Sequence, residues 1–146
     1  MTTITANRPT HPHHTPEMAT LRRVFRLDVA LCATSGVVLV AAAGALADLV
    51  DMDGGGPIAA AGSFLMVLAG ALAWLAQARA KTVLALSVPS AAGDLAWSAG
   101  SVMVAATVTM NGLGQVLVLA QAAAITCMAV AKLTARRAAA RGIIGA

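Results

Sequence analysis

"LDVALCATSGVVLVAAAGALADLVDMDGGGP", Leu27 to Pro57, is the stretch on which the reading of this chain turns. Between Leu27 and Val50 it carries no charge apart from Asp28 and Asp48 and only Thr34 and Ser35 as further polar residues. As a helix this run reaches about 36 Å, enough to cross a hydrocarbon core of about 30 Å. The "DMDGGGP" that follows cannot continue the helix, because consecutive glycines favour the unfolded backbone, and Pro57 is preset for the first turn of a new helix. The run therefore reads as one membrane span and its turn.

Working outward, the same pattern recurs. Apolar runs from Pro57 to Ala78, from Thr82 to Met110 and from Leu113 to Leu133 are each long enough to cross, and "QARAK" and "MNGLG" separate them with charge or glycine. No ten-residue alternation of polar and apolar positions marks a β-barrel. The expected fold is all-α, a membrane four-helix up-and-down bundle, with a disordered tail over 1–20, the transmembrane domain over 21–135 and a short basic tail over 136–146. Composition agrees: hydrophobic residues are 59%, charged residues 11% and mean hydropathy is +0.81, whereas soluble domains average about 25% charged residues.

Charge sets the threading. Arg8, Arg22, Arg23 and Arg26 precede the first run, Arg79 and Lys81 lie between the second and third, and Lys132, Arg136, Arg137 and Arg141 close the chain. All ten basic residues fall on one side of a four-span path, while the other side holds Asp48, Asp51 and Asp53. The positive-inside rule then predicts a plasma-membrane protein with both termini cytoplasmic. The net charge of +4 reports topology and attraction to the anionic lipid bilayer, and nucleic acid is excluded because aromatic residues for base stacking are only 3%. "ALAD" at Ala45 to Asp48 resembles a signal-peptidase site. The long polar segment ahead of it, the long apolar run and Asp28 predict an uncleaved span.

Two carboxylates lie inside apolar runs, and an internal likeness relates them. "DVALCATSGVVLVA" from Asp28 and "DLAWSAGSVMVA" from Asp94 share an Asp-apolar-Ala-large-small order, so the chain reads as two parallel helical hairpins. Asp28 precedes Asp48 by 20 residues and Asp94 precedes Asn111 by 17, which puts both roughly 25 to 30 Å from the acidic end. A buried carboxylate needs a partner, and the candidates are Arg26, Lys132, Arg79, or the two aspartates sharing a proton. Trp97, three residues beyond Asp94, is placed to pack over the site or to anchor at the lipid interface. Trp74 reads as an interfacial anchor.

Small residues suggest close packing. Ala92, Ala96 and Gly100 recur at four-residue spacing, and Gly36 and Gly44 lie eight apart; such faces build either the bundle interior or a dimer seam. Cys32 and Cys127 read as small buried hydrophobes. His11, His13 and His14 in "HPHH" offer imidazoles to a transition metal, but the proline-rich segment around them reads as an unstructured tail without a full ligand set, so no metal or other cofactor is expected. The apolar runs hold no histidine, no Cys-His pair and no phosphate-binding glycine loop, which excludes the familiar enzyme constellations.

"LRRVFRLD" from Leu21, "GDLAWSAGS" from Gly93 and "GLGQVLVLAQA" from Gly112 resemble the small four-span integral membrane proteins of actinobacteria. The likeness covers Leu21 to Leu133, and since that family has no assigned activity it implies topology alone. "LAWSAG" is also similar to a stretch in the third span of small multidrug-resistance transporters. Two functions are therefore expected: a structural or accessory bundle that binds another membrane protein or forms a homo-oligomer, or a proton-coupled small-molecule transporter using Asp28 and Asp94.

Overall fold

The computed structural model describes residues 16–144, and among them all regular structure is helical. The elements are α1 (Pro16–Ala41), α2 (Ala43–Val50), α3 (Gly56–Gln77), α4 (Ala80–Thr107) and α5 (Gly112–Ile144). Three of them, α1, α3 and α5, are both long and apolar enough to cross a membrane. The chain is a membrane protein. α4 is long enough at 28 residues, yet it is not among the three, because Ser87, Pro89, Ser90, Asp94, Ser98 and Ser101 dilute its apolar residues.

The expected first span is not one ideal helix. It is divided between the end of α1 and α2 by a break at Ala42, although Ala42 N–H still donates to Val38 O (3.0 Å) and Leu46 N–H to Ala42 O (2.8 Å). The loop between α2 and α3 returns to this point, where Gly55 is pressed so closely on Ala43 that a Cβ there would sit 2.8 Å from the Ala43 carbonyl. Asp51, with φ 58°, closes α2 in the left-handed conformation.

α1 lies chiefly against α3 and α4 chiefly against α5, and α1 and α5 join the two pairs. Gly36 of α1 and Gly62 of α3 meet at their crossing: a Cβ on either would lie 2.9 Å from the other's carbonyl oxygen. The other small residues do not build the bundle interior, which leaves the dimer seam of their two expected uses. Gly44 and Gly100 face open space, and Ala92 and Ala96 are exposed, so the α4 stripe lies outside the bundle.

Large exposed apolar side chains occupy a band: Leu27 to Leu49, Phe64 to Trp74, Leu86 to Val108 and Leu113 to Val130. Beyond it at the basic end, helix surfaces carry Arg23, Arg26, Lys81, Arg137 and Arg141. The largest buried side chains gather toward this end, where Met18, Leu21, Phe25, Leu72, Leu75, Val83, Ala135 and Ala139 form one cluster. Water drives apolar burial where lipid does not, which accounts for that placement. The expected tail boundaries are corrected accordingly. Residues 16–20 begin α1, with Met18 fully buried, and α5 continues into the expected basic tail as far as Ile144, with Ala139 fully buried. Residues 1–15 lie outside the described part.

Each end is tied by polar contacts. Arg22 donates through Nη1 to Ala76 O (2.6 Å) and through Nη2 to Ala78 O (2.7 Å), satisfying carbonyls that the end of α3 leaves unpaired. At the acidic end Asn111 N–H donates to Val50 O (2.9 Å) and its Nδ2 to Leu49 O (2.8 Å). Its Oδ1 accepts from Gly114 N–H (3.0 Å), capping α5. Asn111→Ala removes the cap and the side-chain tie to Leu49 O while keeping the backbone bond to Val50 O, and is expected to cost about 1 to 2 kcal/mol, read as a lower midpoint in a detergent unfolding titration.

Candidate functional site

α1 and α4 run from the basic to the acidic end, and α5 runs back between them. Helical side chains lean toward the N-terminus of their own helix. Asp28 and Asp94 therefore lean toward the basic end and Lys132 leans away from it, and the three converge. Lys132 Nζ donates to Asp94 Oδ2 at 2.7 Å and to Ser90 Oγ at 3.0 Å. It is also ion-paired with Asp28 Oδ2, a contact without hydrogen-bond geometry. The lysine is wholly buried, Asp28 is 5% exposed and Asp94 7%. The Phe25 ring lies 5.4 Å from the ammonium, within cation–π range, and Cys32 Sγ–H donates to Asp28 Oδ1 at 3.7 Å.

Lys132 is 20 residues from the start of α5, so the cluster sits about 30 Å from the acidic end, at the depth expected for both aspartates. Of the candidate partners, Lys132 is the one at the site. Arg26 is exposed and lines a separate groove with Val29, Ala73, Ala76 and Gln77, and Arg79 is exposed in the turn between α3 and α4. Trp97 does not cover the carboxylate: its ring stacks on Phe64 of α3, centroids 5.4 Å apart and planes 3° from parallel. The stack bridges α3 and α4, which otherwise touch little. One turn from Asp94, Ser98 Oγ donates across to Ala122 O at 3.0 Å.

Of the two cysteines, Cys32 is buried in the hydrophobic cluster as expected, and the expectation for Cys127 is corrected. Cys32 contacts a carboxylate, and Cys127 is exposed. His11, His13 and His14 lie outside the described residues. Phe25, Ser90 and Ser98 were not legible as parts of the site.

Chemically, one ammonium holds two carboxylates, so the fully ionised cluster has formal charge −1 in a buried place. Its three members come from three helices, and the lysine occupies the space between the carboxylates. Such an arrangement fixes the relative position of the two helix pairs. Comparisons with protein-family models, with curated proteins and with solved structures return no match, so the functional reading rests on this geometry.

Proposed function

We propose that the chain is a small multi-pass protein of the plasma membrane in which α4 serves as a fourth span, and that it is a structural or accessory subunit binding another membrane protein or a second copy of itself. The observation that carries this reading is the outward face of α4. A helix without an unbroken stretch as apolar as those of the other three long ones stands at the side of the bundle with Ala92 and Ala96 exposed and open space at Gly93 and Gly100, while its opposite face, Ala91, Asp94 and Ser98, is buried. In lipid, close helix approach over small residues replaces the hydrophobic effect as the force of association, so this face suits a protein neighbour. The internal likeness of the Asp28 and Asp94 stretches supports two parallel hairpins, and the resemblance to four-span actinobacterial proteins supports the same threading. The gathering of basic residues at one end supports cytoplasmic termini.

The closed cluster favours a structural role over transport. A cation entering between Asp28 and Asp94 would have to displace an ammonium held by both. No catalytic role is proposed.

Cysteine cross-linking in native membranes tests the reading. With the exposed Cys127 changed to Ser, Gly100→Cys is expected to give a discrete product with a bifunctional maleimide, either a doubled mass or a defined heterologous adduct. Val67→Cys, at the most exposed large apolar side chain of α3 (73%), is expected to give none. Equal products at both positions, or none at Gly100→Cys together with proton-coupled flux in proteoliposomes, would transfer the weight to the transporter reading.

A further inference from the structure

The groove lined by Arg26 and Val29 of α1 and by Ala73, Ala76 and Gln77 of α3 has a volume of about 260 Å³, and the cluster at Asp28 makes no use of it. Arg26 has no hydrogen-bond or ion-pair partner among the described residues. The neighbouring arginine, Arg22, is committed to the α3 carbonyls. The groove also has a defined depth. Arg26 immediately precedes Leu27, where the exposed apolar band begins on α1, and Gln77 follows Trp74, which ends it on α3 and is 63% exposed. Its polar end therefore lies at headgroup level and its apolar end within the band. The floor is low because alanines stand at 73 and 76, and further along the same face Gly70 has open space where a Cβ would be.

From this placement we infer that the groove holds one anionic glycerophospholipid, with the phosphate on the Arg26 guanidinium and the Gln77 amide beside it, and with an acyl chain lying over Val29, Ala73 and Gly70. Charge complementarity selects the headgroup: an unpaired guanidinium offers two parallel N–H donors to a phosphate, and basic recesses between membrane helices at this level suit anionic lipid. The trough of small residues selects a lipid over a free phosphate, because inorganic phosphate would leave the apolar part of the groove unfilled. The inference requires only that the chain is a membrane protein and holds in either leaflet.

Native mass spectrometry of the detergent-solubilised full chain, titrated with phosphatidylglycerol, is the test. The wild-type chain is expected to retain one phosphatidylglycerol and to retain phosphatidylcholine far more weakly. Arg26→Gln is expected to weaken retention about tenfold, as loss of a charge-assisted hydrogen bond implies. Ala73→Leu, which fills the trough without changing charge, is expected to weaken it comparably, while Arg137→Gln, an exposed cation on α5, should leave it unchanged. Circular dichroism of each variant reports whether the helices persist, and the two groove variants, altering headgroup and chain contacts separately, back one another should either fail to fold. Equal loss with Arg137→Gln would show diffuse attraction by the basic end, and full displacement by inorganic phosphate would show a simple anion site. Unchanged retention in both groove variants would show that the groove is not occupied; any of these three results overturns the inference.

Discussion

Replacing Lys132 by methionine is expected to damage the fold more than any other single substitution in the ionic cluster. Methionine matches the length of the lysine stem and is at home in a helix, so neither a large void nor lost helix propensity accounts for the effect. What is lost is the one cation between Asp28 and Asp94. Two carboxylates would then face each other while buried, and stranding buried ionic groups without their partner costs about 3 to 5 kcal/mol. The expected result is a marked fall in the midpoint of unfolding in mixed micelles, or failure to accumulate in the membrane. The triple variant Lys132→Met, Asp28→Asn, Asp94→Asn is expected to recover most of that loss, because a neutral trio carries no uncompensated charge. Asp28→Asn alone should be far milder, since Asp28 contacts Lys132 without hydrogen-bond geometry and its removal brings the ionised cluster to formal neutrality. If Lys132→Met unfolds at the wild-type midpoint, the cluster does not hold the helix pairs together.

The helical, membrane-embedded character of the chain was legible because it rests on run length and composition, which local sequence states directly. The depth of Asp28 and Asp94 was legible for the same reason, being a count of residues from the acidic turn. The partner was harder to read. Arg26, Arg79 and Lys132 all stand near the basic ends of their helices, and only packing decides which one turns inward. One signal favoured Lys132: on a helix descending from the acidic end, a side chain leans back into the membrane, whereas Arg26, on a helix ascending from the basic end, leans out. Ser90 and Phe25 required knowledge of which faces meet, which a chain so rich in alanine does not encode in its periodicity. The folded extents of α1 and α5 were missed for a related reason. Met18 continues the stripe of Leu21 and Phe25 but stands beside a proline-rich segment, and Ala139 lies among arginines, so each reads as tail until the two helix ends are seen to pack on one another.

Small-residue spacing does not by itself say which positions meet inside the bundle, and the glycine pairs provide the second large test. Glycine to alanine within a helix ordinarily gains up to about 1 kcal/mol from propensity. At Gly44 and Gly93 a new Cβ would meet open space, so alanine there is expected to be neutral or mildly stabilising. At Gly62 the same Cβ would lie 2.8 Å from Leu39 Cβ, 2.9 Å from Gly36 O and 2.9 Å from Val40 Cγ2. Two of these three neighbours are held by the α1 backbone and cannot swing away, so α1 and α3 must separate. Overpacking of this kind costs about 1 to 3 kcal/mol, and in lipid the loss of close approach is not offset by a hydrophobic force. Gly62→Ala should thus reverse the sign seen at Gly44 and Gly93, and Gly36→Leu should exceed it, because Gly62 O lies where the new side chain would begin. The contrast isolates packing from propensity, since all four positions are helical glycines in the same protein. A stabilising Gly62→Ala would mean that α1 and α3 do not cross at this pair, and the groove farther along the same helix interface would lose its walls with it.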